Sequence, residues 1–139
     1  MVDMEIAMNR SMAVMALSLS VALGGCSALG MRPAEEIVAQ RAQERLDLLM
    51  NGGWKQAYEY ATPSYRATAP LSMYSSRYGG AGMWIEARVD KVICEGDEPT
   101  RCDVLTMIKY KPPSGGFVMP RVLEETWIFT QGDWYKFEE

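Results

Sequence analysis

The chain has 139 residues, 48% hydrophobic and 23% charged, so one compact domain is the natural expectation. A formal net charge of -4, from 14 Lys plus Arg against 18 Asp plus Glu, disfavours nonspecific binding to nucleic acid. The chain has no histidine, which removes the Ser-His and Cys-His catalytic pairs and the commonest ligand of a transition-metal site.

Residues 11–23 read SMAVMALSLSVAL, an uncharged run between Arg10 and Gly24-Gly25-Cys26. As a helix it would rise only about 20 Å, short of the roughly 30 Å hydrocarbon core, so it reads as a secretory signal peptide rather than a transmembrane anchor. Asp3 and Glu5 sit where such a leader is normally basic, whereas translation from Met8 would open on Met8-Asn9-Arg10. Leu23-Gly24-Gly25-Cys26 resembles the lipobox of bacterial lipoprotein precursors. The resemblance implies cleavage before Cys26, diacylglycerol on its thiol and acylation of the new amino group. Two or more chains suffice for stable membrane anchoring. The bland alternative for Cys26 is a free thiol at the end of an apolar helix. Ser27, where an aspartate would resemble an inner-membrane retention signal, implies the periplasmic face of the outer membrane. The expected organisation is a signal peptide over 1–25, the lipidated cysteine and tether over 26–33, and a single α+β domain over 34–139. Residues 27–33 reach at most about 25 Å, which keeps the domain close to the membrane surface.

Export changes the reading of the two remaining cysteines, because thiols outside the cytoplasm tend to pair. A Cys94–Cys102 disulfide is expected, stapling a hairpin across the polar, turn-rich stretch between them. The spacing lacks the C-x-x-C pattern of redox-active pairs, and two cysteines without a histidine cannot complete a structural zinc site. No metal or cofactor is expected. Met73, Met83, Met107 and Met119 are too dispersed to resemble a copper site.

Pro33 opens the first predicted helix, 34–50, which is rich in helix formers and carries Glu35 and Glu36 at its positive end. Val38, Ala42, Leu46, Leu49 and Met50 fall on its apolar side, and Asn51-Gly52-Gly53 ends it. Trp54, Ala57, Tyr58 and Ala61 repeat the helical spacing in a shorter element terminated by Thr62-Pro63, and Leu71, Tyr74 and Tyr78 suggest one more turn. Gly79-Gly80-Ala81-Gly82 precedes a strand and lacks the lysine of a P-loop, so it reads as a hinge rather than a phosphate cradle. From there the periodicity is two, predicting strands over 84–94, 102–111, 118–130 and 134–137. Ile85, Ala87, Val89 and Ile93 are expected on one face of the first strand, opposite Glu86, Arg88, Asp90 and Val92. The second strand is apolar on both faces and is expected to be central. Pro112-Pro113-Ser114-Gly115-Gly116 forms a connecting loop, and Gly132 supplies the positive φ of the last turn.

Helices followed by an antiparallel meander indicate an α+β domain whose helices cover one face of a curved sheet. The order of the long first helix, Asn51-Gly52-Gly53-Trp54, Ala57-Tyr58-Glu59-Tyr60, Thr62-Pro63-Ser64-Tyr65-Arg66, Glu125-Thr126-Trp127 and Gly132-Asp133-Trp134-Tyr135 resembles the nuclear transport factor 2-like superfamily. That cone-shaped fold is shared with ketosteroid isomerase, and a cystatin-like helix-on-sheet domain is the competing architecture. Enzymes of the superfamily place acids, tyrosines or histidines inside the cone, where burial tunes their pKa values. Here Asp103 with Tyr58, Tyr60, Tyr74 or Tyr78 would be the pair for a dehydratase or isomerase, against an exposed or salt-bridged Asp103 at the sheet edge. Two noncatalytic readings stand beside it. In the first, an envelope lipoprotein binds a protein partner. In the second, a carrier or sensor holds a small apolar ligand in the cone, lined by Trp54, Tyr58, Tyr74, Met83, Trp84, Met107 and Trp127. The same residue types serve equally as plain core. The resemblance also implies a homodimer through the sheet face, with Trp84, Trp127 and Trp134 as contacts.

Overall fold

A computed structural model describes residues 30–139. The predicted signal peptide, Cys26 and residues 27–29 of the tether lie outside the described residues. Within them the order is α1 (Ala34–Met50), α2 (Trp54–Tyr58), α3 (Pro63–Thr68), α4 (Leu71–Tyr78), a 3-10 turn (Gly79–Met83), then β1 (Trp84–Cys94), β2 (Arg101–Tyr110), β3 (Met119–Thr130) and β4 (Asp133–Lys136). The strands form one antiparallel meander in the order β1-β2-β3-β4, with β2 paired on both sides as expected for a central strand. The sheet curls around α1, so the architecture is α+β with helices against one face.

The helix boundaries follow from local chemistry. Pro33 sits at the N-cap of α1 rather than inside its first turn, and its carbonyl accepts from the amides of Glu36 and Ile37. At the other end Gly52 adopts φ 74, its amide bonding the Leu49 carbonyl and that of Gly53 the Leu48 carbonyl. This is the glycine-dependent paired closure that satisfies the last carbonyls of a helix. The Thr62-Pro63 step begins a helix as well as ending one: the Thr62 hydroxyl accepts from the amide of Tyr65, and Pro63 fills the first position of α3. The predicted glycine hinge is wound into the 3-10 turn.

Register decides which residues reach the core. On β2 the inward set is Cys102, Val104, Thr106 and Ile108, all buried. On β1 the expected alternation fails at both ends, because register shifts between Trp84 and Glu86 and between Val89 and Lys91 each insert an extra residue. Each insertion reverses side-chain parity. Ala87, Val89, Val92 and Cys94 therefore stand opposite the inward residues of β2, while Ile85 and Ile93 are exposed. The Gln43 side chain of α1 meets this irregular strand, accepting from the Val89 amide at 2.9 Å and donating to the Ala87 carbonyl at 3.0 Å. On the far side of the sheet, the short link between α2 and α3 runs beside β4, exchanging Thr62 amide to Lys136 carbonyl and Lys136 amide to Tyr60 carbonyl. The last turn is closed by Gln131 at φ 51 and Gly132 at φ 83, the left-handed pair that a two-residue hairpin requires.

Two ends of the domain can be told apart. Ala34, Ile37 and Val38 pack with Cys94, Cys102 and Trp127, whereas Leu46 and Met50 pack with Ala87, Ile108 and Trp84. The chain thus enters beside the first hairpin, where Cys94 and Cys102 are directly opposed and joined by a disulfide. In the chain-entropy picture a cross-link across so short a loop contributes roughly 2.5 kcal/mol. Replacing both cysteines by serine is expected to lower the urea-unfolding free energy by that order, and an unchanged midpoint would show the staple to be dispensable.

Candidate functional site

The interior of the curled sheet is occupied by charge. Arg45 lies on the apolar side of α1, between Ala42 and Leu46, and is fully buried. Its Nη1 donates to Glu125 Oε1 at 2.9 Å, its Nη2 to Glu138 Oε1 at 3.4 Å and its Nε to the Tyr74 hydroxyl at 3.1 Å. The face of the guanidinium lies 4.6 Å from the Tyr78 ring centroid. Glu125 points inward from β3 and also accepts from the Trp127 indole; Glu138, just beyond β4, accepts from the Tyr78 hydroxyl and from Lys136 Nζ at 2.9 Å. The Tyr74 hydroxyl donates to the Ala57 carbonyl.

This wiring sets the protonation states. Burial opposes the charge on Arg45, but Glu125 foremost, with Tyr74, Tyr78 and Glu138, holds its pKa above the ordinary value. Burial pushes the Tyr74 hydroxyl up to about 12 against the pull of Arg45, and raises Tyr78 further. Burial likewise lowers Lys136, with Glu138 opposing. These shifts keep Arg45 charged and the Tyr74 and Tyr78 phenols neutral at physiological pH.

The predicted candidates are scattered by comparison. Asp103 faces the side of β2 away from α1, bonded to Arg101 and Thr126, so the proposed pairing with an interior tyrosine does not form. Tyr58 donates to the Arg66 and Ala69 carbonyls, and Tyr60 to Glu44. Of the seven residues expected to line a pocket, Met83 and Trp84 line the cavity described below. Tyr74 and Trp127 are sealed in the core, Trp54 and Tyr58 pack beside Tyr74, and Met107 lies on the outer face, registered between Arg88 and Val122. Of the three tryptophans expected at a dimer contact, Trp127 and Trp134 are buried and Trp84 is partly buried, while the outer face of the sheet presents Ile93 and Val122.

Among the described residues, a cavity of about 320 Å³ lies at the end of the domain opposite the disulfide, between the 3-10 turn and the far ends of β1, β2 and β3. Trp84, Met83, Ile108 and Leu123 form apolar walls, Tyr78 separates it from the ion cluster, and Arg77 and Arg121 stand at its sides. Next to it the β2–β3 hairpin carries Phe117, 93% exposed, with Val118 and Met119.

No protein-family model matches the chain, and no curated protein matches it. Among solved structures it is similar to the solution structure of RPA3114, a SEC-C motif containing protein from Rhodopseudomonas palustris. The TM-score is 0.54 at 16% identity, covering 70% of this chain and 73% of that one. At that identity the likeness speaks to the fold alone.

Two outcomes test the interior. Replacing Arg45 by Met strands Glu125 and Glu138 and should cost about 3–5 kcal/mol, the scale for breaking a buried ion pair from one side. Adding Glu125→Gln should recover part of that loss in urea denaturation, and strictly additive losses would contradict the pairing. The raised Tyr74 pKa contributes stability that is whole below pH 10.0 and is lost as pH rises toward 12; the lowered pKa of Lys136 works in the opposite sense. The stability gap between wild type and Tyr74→Phe should therefore narrow between about pH 9 and about pH 11.5.

Proposed function

We propose that this chain is a lipid-anchored envelope protein whose noncatalytic domain, of the nuclear transport factor 2-like type, binds a protein partner. The observation that carries the noncatalytic reading is the filled interior, in which Arg45, Glu125, Glu138 and Lys136 are all engaged with one another or with Tyr74 and Tyr78. The lipobox supports anchoring through Cys26 at the periplasmic face of the outer membrane, and a cross-strand disulfide suits an oxidising compartment. The meander sheet curled around α1 supports the superfamily assignment.

Placement favours a partner at the far end. The chain enters at the disulfide end, and α1 alone, at 17 residues, separates that end from the cavity by about 25 Å. The Phe117-Val118-Met119 tip beside the cavity is an exposed apolar feature of the kind that marks protein contacts. A second reading, the carrier of a small ligand, is favoured by the cavity itself, whose volume sits at the lower end of the roughly 300–1,000 Å³ typical of small-molecule sites.

In cells, Cys26→Ala should abolish palmitate incorporation and release the protein from the membrane fraction. A photoreactive residue at Phe117 should give a discrete cross-linked species that is missing when the probe is placed at Glu98, in the disulfide hairpin. Retained palmitate labelling would sink the anchoring reading, and identical adduct patterns from the two positions would sink docking at the tip.

A further inference from the structure

The geometry points to the cavity as a binding site for a small carboxylate carried on an apolar body, with Arg121 as the group that holds the acid. This inference rests on the carrier reading and deepens it by naming the chemistry of the ligand. Arg121 occupies an inward position of β3, registered against Ile108 and continuing the series Leu123, Glu125 and Trp127. The two arginine-facing sites on this side of the sheet are differently supplied. Deeper in, Arg45 meets Glu125 and Glu138; at the mouth, Arg121 forms no ion pair among the described residues. Across the cavity Arg77 is already engaged, 3.8 Å from Glu138 and donating to the Glu139 main-chain oxygen at 2.7 Å, which leaves Arg121 as the arginine for a ligand.

The lining carries two arginines and no acid, in a chain whose net charge is -4. A guanidinium without an ion pair among the described residues, in a molecule with an excess of acids, is a group that attracts and orients a negatively charged guest. The guanidinium presents a planar fork matched to a carboxylate, which accepts two parallel hydrogen bonds. Below the arginines the walls are the Trp84 ring, Met83, Ile108 and Leu123, suited to an aryl or short alkyl body. Glu125 and Glu138 are engaged by other cations, Glu125 by Arg45 and Glu138 by Arg45, Lys136 and Arg77, and neither pairs with Arg121.

The test uses the exported full chain purified in detergent, with the Trp84 indole N–H followed by NMR during titration with 4-phenylbutyrate and with its neutral amide. The acid is expected to shift the Trp84 resonance and to bind at least ten-fold tighter than the amide. Arg121→Ala, at an exposed position, should lose that preference, and Arg121→Lys should keep part of it. Equal binding of acid and amide, or a preference that survives Arg121→Ala, overturns the carboxylate site but leaves the carrier reading standing. No Trp84 response to either compound overturns both. A Gly-Gly-Phe peptide with a free terminus, compared with its amidated form, distinguishes the source: tighter binding of the peptide acid than of 4-phenylbutyrate supports the same head-group chemistry supplied by a protein chain end.

Discussion

One guanidinium organises this fold. Arg45 leaves the middle of α1 and meets a strand residue, a residue beyond the last strand and two tyrosines of the α4 helix, so that four separate parts of the chain converge on one charge. A buried arginine is costly unless its donors are taken and its charge is answered. Here both conditions are met by Glu125 and Glu138, and the Tyr78 ring covers the guanidinium face. The order of assembly is constrained as well: none of these partners lies near Arg45 in sequence, so the charge is satisfied only when the sheet has closed around the helix. The ion cluster fills this part of the interior, and the described cavity lies beyond it at the end of the domain.

The secondary structure was largely legible in the sequence. Composition and capping signals located α1 to the residue, the period-two runs located the strands within a residue or so, and the cysteine pair marked the first hairpin. What could not be read was parity. Nothing in Trp84-Ile85-Glu86 or Val89-Asp90-Lys91 announces an inserted residue, because bulges are set by how a strand must curl against its neighbour. Ile85 and Ile93 consequently looked like core and proved to be exposed. Thr62-Pro63 carried a true signal that was read in one direction only, since a threonine before proline both stops one helix and caps the next.

The site was harder, for a related reason. Residue-type reasoning searches for acids and tyrosines near apolar neighbours, and Asp103 satisfied that description from the wrong face of β2. The informative residue was an arginine on an apolar stripe: Val38, Ala42, Arg45 and Leu49 follow four-, three- and four-residue steps, which places Arg45 with the core residues. An inward Glu125 follows from its position midway between Leu123 and Trp127. Glu138 offered no such clue, because it lies past the last strand and is positioned by tertiary contacts alone.

The Gln43 side chain has a consequence for the behaviour of this domain at high local concentration. A four-stranded open sheet has two unpaired borders, each a template on which a second molecule could add a strand. On β1 that border is interrupted where Gln43 occupies the free groups of Ala87 and Val89, and two inserted residues spoil its straightness. On β4 the border is four residues long and already touched by Ala61. A domain crowded beside its own copies would thus be guarded against edge-to-edge polymerisation, by one glutamine on one flank and a short strand on the other.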